Sequence, residues 1–539
     1  MSKDYYINVF QKGNYMLVSE YKNNVRHFNK YPFKPSLYFL CKEKTPYTNI
    51  EGSYLRKNTY ENIYECGKYL NEMRDVSNFT PYGTSSYKMQ WISENYKDDI
   101  DYDFSNFRIG FIDIETCCEL GFPEPKIAPE PINALTYYDS LDKKYYVFTL
   151  NTLGEVIIKD EDCVHFPCVD EKELLLKFLT LWSSQYPDIY TSWNGTRFDI
   201  PYIVNRIKKV LGEKYIEKLS PFGIVNKKEV WDESNFHKKK DENEIPEYKY
   251  EFVGLNDLDY LTMYENYSFG EKPSYSLKYI TTLELGETKL EHEEFANMHL
   301  FYKENYQKFI EYNIQDVKLL VKLDEKLHYL KLNTQIAYLA KVNFRECLSS
   351  VIIWESLIYN HEMKKNVFFP IKNVGKVEGG YPGAFVKQPV PSKYKWVVSF
   401  DLNSLYPSLI RQFNISPEKI LSDDERNRFL YKIKDSNPHL YQRLIESVRI
   451  ERNDEGNIVK EDDLVNDIVD QTLDTKELKE QNIVLSASGY LFKHDQKGFI
   501  PEIMEYIYNQ RRSVKKQMLK DENEVERLKA EIHRRGLTI

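Results

Sequence analysis

The chain has 539 residues, 42% hydrophobic and 29% charged, with 74 Lys and Arg against 83 Asp and Glu for a net charge of −9. That length exceeds what one hydrophobic core organises, so roughly three or four domains are expected, and no apolar run approaches the ~18 residues that span a bilayer. An acidic balance counts against a coat-like nucleic-acid binder and points to catalytic carboxylates beside local basic stripes, such as Lys208-Lys209 and Arg511 to Lys520. Seven scattered cysteines, an odd number, argue against a disulfide framework and for a reducing compartment. The opening Met1-Ser2-Lys3-Asp4-Tyr5-Tyr6 has no secretory core. A soluble, intracellular protein without a membrane partner is expected.

Residues 1–105 alternate short apolar and aromatic runs with polar turns, including Tyr5, Ile7 and Val9 and the run from Pro35 to Leu40. They read as a β-rich N-terminal domain without a catalytic cluster. Residues 106–340 alternate strand and helix patterns, as an α/β domain does. Within them Phe111-Ile112-Asp113-Ile114-Glu115-Thr116 puts two acids at i and i+2 on a β-branched strand, so both face one side. Trp193-Asn194 and Phe198-Asp199 form a loop that enters a helix. Tyr312-Asn313-Ile314-Gln315-Asp316 sets a phenol and a carboxylate one helical turn apart. Cys163, His165 and Cys168 are close enough for a metal knuckle, but no second Cys/His pair follows, so they read as ordinary thiols.

Residues 341–372 read as a helical return to the N-terminal domain. In Val397-Val398-Ser399-Phe400-Asp401-Leu402-Asn403-Ser404-Leu405-Tyr406-Pro407 a β-branched run ends at a carboxylate, and Pro407 sits in a first helical turn. The pattern is strand, Asp, turn, helix, with the N–H groups of Ser404, Leu405 and Tyr406 at a helix N-terminus, where a cation and a polyphosphate fit side by side. Residues 421–485 are charge-rich and read as exposed helices with a hairpin. From about Pro501 the apolar residues Ile503, Ile507, Val514, Met518, Val525, Leu528 and Ile532 draw one stripe along a long helix, and that stripe needs a cover.

Phe400-Asp401-Leu402 with Ser404-Leu405-Tyr406-Pro407-Ser408 resembles motif A of family B DNA polymerases. The wider run, with Tyr381-Pro382-Gly383-Ala384-Phe385-Val386-Lys387 and Asn414-Ile415-Ser416-Pro417-Glu418, is similar to the T-even-type bacteriophage subgroup. The three acidic clusters, in their order and spacing, resemble the Exo I, Exo II and Exo III motifs of the DnaQ-like 3′→5′ proofreading exonucleases attached to those polymerases. The resemblance implies an α+β multidomain chain. Its parts are an N-terminal domain (1–105), an RNase H-like (DnaQ-like) exonuclease domain (106–340), the helical return (341–372), a partial palm with a charged insertion (373–500) and the first fingers helix (501–539). The charged segment from Lys227 to Glu244 then extends the hairpin that this family uses near the primer end.

The implied activities are DNA-directed DNA synthesis and proofreading, with primer-template DNA and deoxynucleoside triphosphates as substrates. Two Mg2+ ions per site are implied, with Mn2+ as an alternative. Like charges about 4 Å apart repel by roughly 4 kcal/mol at an effective dielectric near 20, so four clustered acids call for cations. Asp113 is assigned as the bridging ligand, Glu115 and Asp316 as ligands of one ion and Asp199 as an outer or second-ion ligand, while Tyr312 orients the attacking water. In the polymerase half Asp401 and the Leu402 carbonyl hold metal, and Ser404, Leu405 and Tyr406 meet the triphosphate. The Tyr406 ring excludes a ribose 2′-hydroxyl. Arg511 and Lys515, at i and i+4, grip the triphosphate, and Tyr381, Gly383 and Ala384 touch template DNA.

The family continues with Lys-x3-Asn-Ser-x-Tyr-Gly and then Asp-Thr-Asp, and this sequence contains neither. The second palm carboxylate, the second fingers helix and the thumb are therefore expected on a second polypeptide, or lost by truncation, and a sliding clamp would bind through that missing part. Two other readings stand beside this one. One is a stand-alone 3′→5′ exonuclease with a vestigial polymerase domain, and the other is a non-enzymatic nucleic-acid-binding scaffold, which four clustered acids disfavour because they repel phosphate. The expected location is the cytoplasm of an infected bacterial host.

Overall fold

A computed structural model of the chain describes residues 4–74, 76, 79–119, 121, 123–230, 247–290, 295, 298–371, 390–402, 404–445, 451–452, 458–460, 467, 470–486 and 489–535. It divides into two compact units: residues 1–41, 55–360 and 369–371, and residues 42–54, 361–368 and 372–539.

The first unit opens with an antiparallel meander, Tyr5–Lys12, Tyr15–Lys22 and Val25–Pro32. Asn23 and Asn24 close its second hairpin, both with positive φ (52° and 61°). Paired positive φ is what a two-residue turn needs to match strand twist, and Asn tolerates it better than other side chains. The meander does not stand alone. Tyr5, Tyr6, Ile7 and Val9 share a core with Leu330, Ala337, Tyr338, Val342 and Phe344, and the Tyr6 hydroxyl donates to the Val342 carbonyl at 2.8 Å.

Next comes a six-stranded sheet: β1 (Ile109–Thr116), β2 (Ile132–Asp139), β3 (Lys144–Leu150), β4 (Cys163–Cys168), β5 (Ile189–Thr191) and β6 (Asn256–Asp257), in the order β4-β3-β2-β1-β5-β6. Neighbours β1–β2 and β2–β3 are antiparallel, whereas β3–β4, β1–β5 and β5–β6 are parallel. On one face lie α1 (Glu171–Ser184) and α2 (Asp199–Val210), whose Leu174, Phe178, Trp182 and Ile203 pack with Ile112 and Ile114 of β1. After β6 comes α3 (Tyr260–Tyr267). On the opposite face α4 (Tyr306–Leu327) buries Phe309, Ile310 and Ile314 against Ala134 and Val147. His165 sits within β4 and pairs with Thr149 Oγ1 at 2.8 Å, so Cys163, His165 and Cys168 are strand residues and not a metal knuckle. The hairpin Val225–Val230 with Glu247–Phe252 is present. Most of the charged segment from Lys227 to Glu244 lies outside the described residues.

In the second unit, α5 (Leu405–Phe413) and α6 (Phe499–Arg534) pack together. Asn414 joins them: its Nδ2 donates to the carbonyls of Lys493 (2.7 Å) and Gln496 (2.9 Å), and its Oδ1 accepts from the Gly498 N–H (2.8 Å). The charge-rich stretch forms helices Asp423–Ser436 and Pro438–Ile445 that bury Phe429, Leu430, Ile433, Leu440 and Leu444 in a core of their own, so it is a small module and not merely exposed helices.

The strand expected at Val397–Phe400 is not formed. Residues 390–402 carry no regular structure, and Val397 and Phe400 are 79% and 90% exposed. β-branched residues favour a pleated surface only where a neighbouring strand takes up the backbone N–H and C=O groups, and no described residue pairs with this segment. The α5 helix does follow it, with Pro407 in the first turn. Tyr381, Gly383 and Ala384 lie outside the described residues.

One buried ion pair holds the sheet's helical face. Glu171 on α1 and Arg206 on α2 are both less than a tenth exposed. Arg206 Nε donates to Glu171 Oε1 at 2.7 Å and Nη1 to the Ala128 carbonyl at 3.0 Å, while Glu171 Oε1 also accepts the Ile132 N–H at 2.9 Å. Replacing one partner strands a charge in the interior. Arg206→Met is expected to cost about 3 kcal/mol in equilibrium denaturation, and Glu171→Leu with Arg206→Met to cost less than either alone.

Candidate active site

Strand alternation sends Ile112 and Ile114 of β1 into the core with α1 and α2, so Asp113 and Glu115 emerge on the face that α4 covers. From α4, Asp316 comes down on the same spot, one helical turn after Tyr312. Asp113, Glu115 and Asp316 each offer a carboxylate oxygen, and the three oxygens lie within 4.8 Å of one another. Asp199, the first residue of α2, does not belong to that trio. It accepts the Ile114 N–H at 3.1 Å, is 4% exposed, and its charge acts on Asp113. All four acids and Tyr312 line one cleft of about 810 Å³, with Trp193, Asn194, Phe198 and His299 on its walls.

Two further side chains complete the cluster. Lys289 forms an ion pair with Asp316, and its Nζ also donates to the Tyr312 hydroxyl at 3.2 Å. Asn313 is fully buried, and its Nδ2 donates to Asp113 Oδ2 at 2.7 Å. Asn313 was discoverable: it precedes Asp316 by three on a helix and so shares its side. Lys289 gives no such signal, because it sits in an unpatterned stretch, Gly286-Glu287-Thr288-Lys289, and only the fold carries it to Asp316.

The electrostatics follow from burial and crowding. Burial first, then Asp199, Asp316 and Glu115, push Asp113 well above the usual carboxylate range. Burial and Asp316 raise Glu115 to about 8, and burial raises Asp199 to about 7. Burial opposes the charge on Lys289, but Asp316 and Tyr312 outweigh it and keep the ammonium protonated. One ammonium against four carboxylates leaves excess negative charge. The donor set is all oxygen and hard, which fits Mg2+ or Mn2+ and not a thiophilic metal.

The polymerase-motif residues lie in the second unit. Asp401 and Leu402 are exposed on the segment without regular structure. Ser404 is the residue before α5, with φ of 55°, and Leu405 and Tyr406 open that helix. Arg511 of α6 donates through Nη1 to Ser404 Oγ at 3.2 Å, so α6 carries this side chain to the start of α5. Lys515 is one turn further along α6 and exposed.

Residues 56–280 match the exonuclease domain of DNA polymerase family B, and residues 346–537 match DNA polymerase family B itself. The chain belongs to DNA polymerase family B. It is 30% identical over 565 aligned positions to the DNA-directed DNA polymerase of Escherichia phage RB69, covering 100% of this chain and 56% of that protein. The DNA-directed DNA polymerase of Enterobacteria phage T4 is 29% identical, with 98% and 55% covered. DNA polymerase 1 of Sulfurisphaera ohwakuensis is 28% identical over 59% of this chain and 35% of its own length. The chain thus spans about half the length of the phage relatives it matches. No helix among the described residues is long and apolar enough to cross a membrane.

The raised carboxylates set a pH dependence. A group whose folded pKa exceeds its unfolded value stabilises fully below the unfolded value, about pH 4 here, and loses that contribution as pH rises through the folded one. For Asp199 and Glu115 the loss runs through about 7 and about 8. Metal-free protein is therefore expected to melt at a lower temperature at about pH 8.5 than at about pH 6, with Asp113→Asn/Glu115→Gln flattening the slope and Mg2+ restoring stability mainly at the higher pH. Thermal melts in chelator and in Mg2+ measure this.

Proposed function

We propose that the chain carries a 3′→5′ DNA exonuclease of the RNase H-like (DnaQ-like) type, together with the first part of a family B polymerase site. The observation that carries the nuclease half is the convergence of Asp113, Glu115 and Asp316 within 4.8 Å in an open cleft. Divalent ions would be held by Asp113, Glu115 and Asp316, with Asp199 beside them. When bound, they supply Lewis acidity at the attacked phosphate and lower the pKa of water. The chain's own groups do the rest. Tyr312 orients the attacking water, Lys289 neutralises Asp316 and holds the Tyr312 hydroxyl, and Asn313 fixes the rotamer of Asp113. Trp193 and Phe198 give the cleft aromatic faces on which the bases of a single strand can stack. The substrate is the 3′ end of a DNA primer, and removal of a mispaired terminus is its role.

In the polymerase half, Asp401 and the Leu402 carbonyl are the metal ligands, the N–H groups of Ser404, Leu405 and Tyr406 receive the triphosphate of an incoming deoxynucleotide, and Tyr406 screens its sugar. Arg511 and Lys515 grip the phosphates, and Tyr381, Gly383 and Ala384 meet the template. This set lacks a second palm carboxylate. Val514, Met518, Val525 and Leu528 of α6 are all 45% or more exposed, which fits a stripe awaiting a second fingers helix. We infer that residues outside these 539, on a second polypeptide or a continuation of this one, complete the site and carry the clamp-binding part. Such an enzyme works inside an infected bacterial host.

The test uses the 539-residue chain, a 5′-labelled primer on a longer template and Mg2+, with and without deoxynucleotides. The primer is expected to shorten and not to lengthen. Asp113→Ala/Glu115→Ala should cut the rate at least about a thousandfold, equivalent to ~4 kcal/mol of transition-state stabilisation. Lengthening would mean that another carboxylate of this chain serves as the second palm ligand. Shortening that survives the double substitution would refute the assigned site.

A further inference from the structure

The loop Ser192–Thr196 runs from β5 toward α2, and its backbone is packed directly onto the active-site acid. Asn194 has φ of 65°, a left-handed conformation that Asn tolerates better than other side-chain-bearing residues. A Cβ on Gly195 would come within 1.7 Å of Ser192 Oγ and 3.0 Å of the Asp199 carboxylate, so only glycine fits there. The carbonyls of this loop point forward. Asn194 O accepts the N–H groups of Arg197 (3.1 Å) and Phe198 (3.2 Å), and Gly195 O accepts that of Ile200 (2.9 Å). These donors surround Asp199 at the start of α2, so a shift of the loop shifts the acid.

The N–H groups of the same loop point the other way, into one carboxylate. Asp259 Oδ1 accepts the Asn194 N–H at 3.2 Å, and Oδ2 accepts the Thr196 N–H at 3.0 Å. Asp259 is 6% exposed. It also caps α3, Oδ1 accepting from Leu261 at 3.0 Å and Thr262 at 3.4 Å. A helix cap needs one side-chain oxygen, which serine supplies equally well. Oδ1 serves both the cap and the loop, and Oδ2 serves the loop.

We infer that Asp259 is a positioning residue of the nuclease site: through the loop 194–196 it sets where Asp199 stands against Asp113 and Ile114. It is not among the residues that line the acidic cleft, although its charge also raises Asp199. The inference rests on the exonuclease reading above, and its test separates the two.

The experiment is a double-mutant cycle between Asp259→Ser and Asp199→Ala in the whole chain. Asp259→Ser keeps an α3 cap but cannot span to the loop. Three quantities are read: single-turnover cleavage of a 5′-labelled single-stranded oligodeoxynucleotide in Mg2+, the Kd for that oligonucleotide in chelator, and Mn2+ affinity by electron paramagnetic resonance. Asp259→Ser alone should slow cleavage about tenfold or more and weaken Mn2+ binding, with the oligonucleotide Kd changed less than about threefold; in the Asp199→Ala background it should slow cleavage less than about twofold further. Asp259→Asn, which keeps one acceptor for the loop, should fall between serine and wild type. It replaces Asp259→Ser in the cycle if the serine variant does not fold. An unchanged rate, or the same loss in both backgrounds, overturns the inference. If the unsubstituted chain cleaves nothing, the exonuclease reading fails by itself. The cycle is then read on Mn2+ affinity, where a loss that disappears with Asp199→Ala supports positioning and no loss refutes it.

Discussion

Crowded negative charge is the constraint on which the first unit depends. Asp113, Glu115, Asp199 and Asp316 line one cleft with Glu119 at its wall, and Lys289 is the ammonium among the described residues that line it. Each like-charged pair near 4 Å opposes folding by roughly 4 kcal/mol at an effective dielectric near 20. Such a cluster persists only on a scaffold whose packing forbids the acids to separate. The central strand β1 gives that rigidity, with β2 on one side and β5 on the other, Ile112 and Ile114 locked beneath it and α4 laid across the acidic face. The raised Asp113, Glu115 and Asp199 are the electrostatic cost of this geometry, and a divalent ion would offset it.

The second unit is built on the opposite principle. Its helices α5 and α6 are tied by polar bonds around Asn414, while the distal half of α6 presents apolar side chains outward. Asp401 stands exposed on a segment without strand partners. Where the clustered acids are enclosed by their own unit, Asp401 and the α6 stripe are displayed, and a displayed apolar stripe carries no folding energy until something covers it.

Much of the nuclease site was legible because it obeys local periodicities. Asp113 and Glu115 are two apart on a strand, and Tyr312 and Asp316 are four apart on a helix, so their shared faces follow from chain geometry. Asn313 obeys the same rule, but an amide carries no acid, base or metal-binding signal by itself. Lys289 and Asp259 obey no periodicity. Their partners lie 27 and more than 60 residues away in the chain, and only the stacking of α4 on the sheet and of β6 on β5 brings them together. The expected strand at Val397–Phe400 erred in the other direction, since its composition was right but no ladder partner stands beside it among the described residues.

What the sequence by itself determined was the family, the order of its motifs and which side chains share a face, because these depend on residue identity and on spacings of two, three and four. Tertiary structure alone decided which faces meet. It matched Lys289 to Asp316, turned the charged stretch after residue 421 into a module with its own core, and left Val397–Phe400 without a strand partner among the described residues. The physical reason is that periodicity fixes direction within an element, whereas the burial that sets charge, partner and exposure is a property of two elements at once.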